Sequence, residues 1–187
     1  KRKGTLILLA VFFWVGGYAQ HNSFELTPKQ IDSLIKATTV KKEHADRFAH
    51  LVIQDEDGRM KPINTFASEL LRKVSKADTF RGLDANQVFL SMLLNRQLWY
   101  NVDFFYIKKD NDSLHKILGV EKGLKRVRAL DFLDQEYNNK LNPYLVEAYS
   151  TSNPNQFQKE FKEVDMKMHL LERALSGSML RIFPLKD

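Results

Sequence analysis

The sequence predicts a mainly α protein, α-rich with a few short strands, in which an N-terminal membrane helix precedes one extracytoplasmic helical domain. Three observations carry that expectation. Lys1, Arg2 and Lys3 stand ahead of an uncharged run from Thr5 to Ala19. Thr27 with Gln30, and Asp84 with Gln87, have the spacing of helix-starting capping boxes. Phe157, Phe161, Val164, Met168, Leu171 and Leu175 step by four, three, four, three and four, which lays one apolar stripe along a long helix. The chain divides accordingly into a membrane-spanning or signal segment at 5–19 and an extracytoplasmic body at 20–187.

The first segment has two readings. Fifteen helical residues cover about 22 Å, short of a hydrocarbon core of about 30 Å. A basic flank, an apolar centre and the small residues Gly17 and Ala19 fit a secretory signal cut before Gln20. A short retained helix instead borrows interfacial Trp14, Tyr18 and the basic residues at its ends. The opening residue is Lys rather than Met, as in a piece of a longer protein, which favours the retained helix. Both readings leave the basic residues cytoplasmic and send the body outside.

Each later element follows from a local signal. Thr27 to Gln30, with Pro28 at the first helical position, starts a helix carrying Ile31, Leu34 and Ile35. A second helix from Lys42 to His50 turns Ala45, Phe48 and Ala49 inward. Leu51 to Gln54 reads as a short strand, stopped by a turn at Asp55-Glu56-Asp57-Gly58. A helix follows Asn64 or Thr65, either of which can cap it, with Phe66, Leu70 and Val74 at four-residue spacing. Another opens at Asp84 and buries Val88, Met92 and Leu93. Val102 to Lys108 reads as a strand bounded by Asp110-Asn111-Asp112. Asn142 and Pro143 start a short helix towards Tyr149, interrupted at Ser152-Asn153-Pro154, and the long striped helix ends at Gly177.

Composition bounds what this body can do. The 187 residues are 43% hydrophobic and 28% charged, with only 8 Gly and 5 Pro, so most of the chain is globular. The lack of Cys removes disulfide frameworks, thiolate metal sites and thiol catalysis. The formal charge is +6, but beyond Lys3 it falls to +3, from 26 basic and 23 acidic residues. That is too even for a nucleic-acid surface.

No glycine-rich phosphate loop, serine elbow or His-Glu-x-x-His pair occurs. Asp55-Glu56-Asp57-Gly58 suggests a calcium loop, but Ile53 and Asn64 would fall at its first and last ligand positions, so a solvated acidic turn is expected. His44 and His50 are six apart, about 240° around a helix, and cannot share a metal from one face. His115 and His169 are expected on polar surfaces. His21, just past the apolar run, is the candidate axial haem ligand. The clusters Arg72-Lys73-Lys76 and Lys122-Lys125-Arg126-Arg128 are expected to be solvated faces.

One stretch carries a family resemblance. His44 to Phe48, Leu51 to Asp55, Gly58 to Phe66, then Glu69 and Leu70 to Lys73, resemble a segment of fused ResB/CcsA-type (system II) cytochrome c biogenesis proteins. Asn86 to Phe89 and Leu180 to Pro184 are similar in the same context. The resemblance implies a parent protein in the bacterial inner membrane that delivers haem and attaches it to apocytochrome c. It also implies that this body lies on the periplasmic side, beside further membrane spans. The family's tryptophan-rich haem loop has no counterpart, since the only tryptophans are Trp14 and Trp99. The segment is therefore expected to be accessory and non-catalytic, with haem handled elsewhere in the parent and not held stably here.

Within that segment Arg59, Lys61 and Pro62 are the candidate partner-contacting or structural motif. As contacts, the two cations would meet a haem propionate or an acidic partner. As structure, Pro62 restrains Lys61 to extended geometry ahead of the next helix. Two rival functions stand beside this one. The first is a secreted helical binding module, released by signal cleavage and unrelated to haem. The second is a hydrolase using Asp55, Asp57 or Glu69, for which no complementary base or nucleophile is evident.

Overall fold

The computed structural model describes residues 26–55 and 57–183. The apolar segment 5–19, His21 and Pro184 lie outside them. No helix among the described residues is long and apolar enough to cross a membrane.

Eight α-helices and two small antiparallel strand pairs make up the described chain. Helix α1 (Pro28–Thr38) starts at the Thr27 capping box and buries Ile31 and Ile35. Leu34, which the same helix carries, is 40% exposed. Helix α2 (Lys42–Ala49) buries Ala45 and Ala49. Strands β1 (Val52–Gln54) and β2 (Met60–Pro62) form a hairpin that leads directly into α3 (Ile63–Ser75).

The sequence marks no second strand at this junction, yet Met60–Pro62 pairs with β1 and carries Lys61 in extended geometry. One expectation is corrected beside it. The helix begins at Ile63, ahead of Asn64 and Thr65, with no side-chain cap. The reason lies in the hairpin: the Ile63 N–H donates to the Leu51 carbonyl at 2.9 Å, so one orphan donor of the helix start is satisfied by the strand pair.

Helix α4 (Ala85–Leu94) carries the Asp84–Gln87 box and buries Val88 and Met92, with Leu93 half-buried. The short α5 (Arg96–Tyr100) was not anticipated. It places Trp99, 1% exposed, where its indole donates to Ser91 Oγ at 3.0 Å. Phe80, Trp99 and Phe104 pack with ring centroids 5.1–5.9 Å apart. Arg81 beside them holds Asp32 of α1 and Asp103, fastening α1 to the body.

The strand expected over 102–108 reduces to β3 (Phe105–Tyr106), because β4 (Arg126–Val127) offers only two partners. Val102, Phe104, Phe105 and Ile107 are all buried, so the run is core rather than an alternating sheet face. Helix α6 (Asp112–Leu118) follows, capped by Asn111 and stopped by Gly119 at φ 73°. A 3₁₀ turn (Ala129–Phe132) leads towards α7 (Asn142–Ser150) and then α8 (Gln156–Ser176). α8 packs on α3, α4 and α7, burying Phe161, Val164, Leu171 and Leu175. Phe157 and Met168 sit at the margin of that stripe, one 37% exposed and the other half-buried.

Candidate functional site

The β1–β2 hairpin collects the residues that the sequence singles out. Its turn is closed by the Gly58 N–H donating to the Asp55 carbonyl at 3.1 Å, with Gly58 at φ 77°. The Asp55 carboxylate accepts the Arg59 N–H at 2.8 Å, so the acidic turn is directed at its own basic arm.

Strand register then sorts the side chains. Directly opposed residues of an antiparallel pair share a face. Ile53 and Lys61 therefore point the same way, as do Val52 with Pro62 and Gln54 with Met60. Ile53 is fully buried, which makes its face the inner one, and Lys61 lies along it.

Lys61 Nζ is 3.0 Å from Glu69 Oε2 on α3 and 3.7 Å from Asp55 Oδ2. Arg59 reaches Asp57 at 2.8 Å and Asp55 at 3.6 Å. The Arg59 N–H and then the Arg59 and Lys61 charges hold the Asp55 carboxyl below the usual carboxylate range. Both cations are thus met by carboxylates of the same hairpin and helix. Asp55, Asp57 and Glu69, the carboxylates of the hydrolase reading, each face one of these cations.

Apart from Gln54, the outer face of the hairpin is apolar. Val52 and Met60 are 41% and 54% exposed, Pro62 is exposed beside them, and Leu51 adjoins. The C-terminal segment runs beside β1, since the Gln54 N–H donates to the Arg181 carbonyl at 2.9 Å, and Ile182 follows, 42% exposed.

The structure distributes the described histidines rather than grouping them. His44, His50 and His169 are exposed, and His169 Nε2 lies 3.6 Å from Asp165 Oδ1. His115 is a correction: expected on a surface, it is 2% exposed. Its ring nitrogens meet the Asn111 carbonyl at 2.6 Å and the Leu124 carbonyl at 2.8 Å. Among the described residues no group of three His, Asp or Glu could hold a metal ion. His21 lies outside the described residues.

The second basic cluster is also corrected in part. Lys122 and Lys125 are exposed, but Arg126 lies over the Phe80 ring at 5.7 Å and donates to the Phe104 carbonyl. Arg128 pairs with Asp131 at 2.7 Å. These two arginines fasten β4 and the 3₁₀ turn to the core. On α7, the Tyr149 hydroxyl donates to Asp165 at 2.8 Å, and burial with that bond raises its pKa to about 12.

A cleft of about 340 Å³ opens between α5, the 3₁₀ turn and α8, with Leu130, Leu133, Met168 and Leu171 on its walls and Tyr100 and Tyr137 among its lining residues. The sequence showed no sign of it, because its walls come from three distant segments.

No family model matches the chain. Protein NrfI of Wolinella succinogenes is 32% identical to it over 147 residues, which is 77% of this chain and 16% of NrfI. The chain therefore spans less than a fifth of that relative's length. This likeness to one segment of NrfI supports a relation to cytochrome c biogenesis, at a coarser level than the fused ResB/CcsA type.

Proposed function

We propose that this chain is an accessory extracytoplasmic domain of a membrane cytochrome c assembly protein of the fused ResB/CcsA kind, which delivers haem and attaches it to apocytochrome c. Residues 5–19 anchor it in the bacterial inner membrane, with the body on the periplasmic side. Its partners are the remaining membrane spans of the same protein and apocytochrome c. Haem is handled by those other parts, and the body does not hold it stably.

The observation that carries this reading is the similarity to NrfI over 77% of the chain, which includes most of the hairpin-bearing body. The hairpin suits docking rather than catalysis. Its cations are neutralised from within, so Arg59 and Lys61 keep the hairpin rigid on α3. The outer face of Val52, Met60 and Pro62 is then free to meet an apolar partner surface.

The experiment is site-specific photo-cross-linking from position 60 in the full-length protein, in native membranes. Adducts mapping to the membrane-flanking segments of the same protein or to apocytochrome c are expected. Adducts confined to other periplasmic proteins would contradict the reading and favour a free-standing binding module.

A further inference from the structure

The cleft between α5, the 3₁₀ turn and α8 shares no lining residue with the hairpin. At about 340 Å³ it has room for an organic body of about ten to fifteen non-hydrogen atoms. Leu130, Leu133, Met168 and Leu171 make its walls apolar, and Arg96 and Glu172 are its only charged lining residues.

We propose that this cleft binds a small monocarboxylate with an apolar body, the carboxylate on Arg96 and the body against the leucine and methionine walls. The inference does not depend on the cytochrome c reading.

Arg96 is held in place without being neutralised. Its Nη2 donates to the Tyr100 hydroxyl at 3.2 Å, and its guanidinium carbon lies 5.6 Å from the centroid of the same ring. These contacts keep the guanidinium beside the apolar walls rather than extended into solvent. Among the described residues no carboxylate reaches ion-pair distance of it, and Glu172 acts on it only from farther away. Most of its planar fork of N–H donors is thus open, and a carboxylate matches that fork with two parallel bonds. A second carboxylate on the ligand would find no second cation and would meet Glu172, so the lining asks for one acid group.

Tyr137 is an independent sign of a ligand. It takes a left-handed backbone at φ 63°, uncommon for a bulky residue, and its side chain is 77% exposed at the cleft. The loop is built to hold it there. The Tyr137 N–H donates to the Asp134 carbonyl at 3.1 Å, and the Asp134 carboxylate accepts the Glu136 and Asn138 N–H groups at 2.8 Å. So exposed a ring gains little from packing in the free chain, and an apolar body in the cleft would give it a contact.

Dimensions favour a small acid over a peptide. Met168 and Leu175, both in the lining, are seven residues apart on α8, about 10 Å along the axis. That length takes only about three residues of extended chain.

The test titrates the detergent-solubilised full chain with naphthoate and with octanoate, corrected against empty micelles. Naphthamide and naphthylmethylammonium serve as the neutral and cationic counterparts. Calorimetry should show saturable one-to-one binding of a carboxylate, and which of the two acids binds distinguishes an aryl from an alkyl body. Arg96→Gln should weaken binding about tenfold or more, whereas Lys116→Gln on α6 should leave it unchanged. Circular dichroism verifies that each variant retains its helices. In the unaltered chain, isotope-labelled at the methionine methyls, the Met168 signal should shift on titration while the Met60 signal on the hairpin stays. Binding of neither acid, equal binding of the amide or the ammonium, indifference to Arg96→Gln, or an unmoved Met168 signal would each overturn the proposal. So would a peptide with an apolar C-terminus that binds while both free acids do not, which would make the cleft a peptide site.

Discussion

Lys61 on β2 holds Glu69 on α3 with its ammonium nitrogen 3.0 Å from the carboxylate, tying the hairpin to the helix that it starts. The contact exists because Lys61 lies opposite Ile53 and turns inward, while Glu69 sits nearly two turns into α3. Both side chains are partly shielded, at 23% and 34% exposed. A coupling of about 0.5–1 kcal/mol is therefore expected from a double-mutant cycle of Lys61→Met and Glu69→Gln, read by urea unfolding. Strict additivity of the two changes would show that the pair contributes nothing.

Asp55 predicts a pH dependence. Its carboxyl titrates lower in the folded chain than in the unfolded one, first through the Arg59 N–H and then through the Arg59 and Lys61 charges. Its stabilising contribution is thus present above the unfolded value of about 4 and lost as pH falls through the folded pKa. Asp55→Asn should flatten the stability profile below about pH 4, measured as denaturant midpoints across an acid series. An unchanged acid slope would contradict this.

His115 is expected to be structural. Its two ring nitrogens lie within hydrogen-bond distance of the Asn111 and Leu124 carbonyls, so the ring ties the start of α6 to the loop that follows it. His115→Ala removes the buried ring that bridges the Asn111 and Leu124 carbonyls and opens a void beneath the loop at Leu124. A loss of about 2–4 kcal/mol is expected in denaturant unfolding. A change within experimental error would mean that the loop closes without the ring.

The interior face of α8 sets a larger scale. Phe161 is fully buried, with its ring centroid 4.2 Å from Phe157 and 5.6 Å from Tyr144. Phe161→Ala should cost about 3–5 kcal/mol. A cost below about 0.5 kcal/mol would mean that the stripe is not core in solution.

What was legible in the sequence depended on how far apart the cooperating residues lie. The Thr27 and Asp84 boxes close within four residues, and both form the reciprocal hydrogen bonds that their spacing implies. The stripe from Phe157 to Leu175 is a property of one helix, and Gly177 ends it at φ 72° as its position suggests. Helix α6 has equally local signals, Asn111 at its start and Gly119 at its end. Other features needed distant partners. The start of α3 depends on the Leu51 carbonyl, and the burial of His115 depends on the Leu124 carbonyl. The hairpin residues Arg59, Lys61 and Pro62 were identified together, but their division into an inward cation and an outward proline follows from a register that the sequence does not state. Tyr100, Leu130 and Leu171 come from three separate segments, and their joint cleft exists only in the folded chain.

The most direct test of the account is cytochrome c maturation with and without this domain. The full-length parent, and a version from which residues 26–183 are removed in frame, are produced in a bacterium lacking its own assembly system. An apocytochrome reporter with a Cys-x-x-Cys-His site is supplied, and covalent haem is read by in-gel haem staining at matched membrane levels of the two proteins. Stained reporter is expected with the intact parent, and strongly reduced staining without the domain. Equal staining in both would contradict a role for this chain in haem attachment.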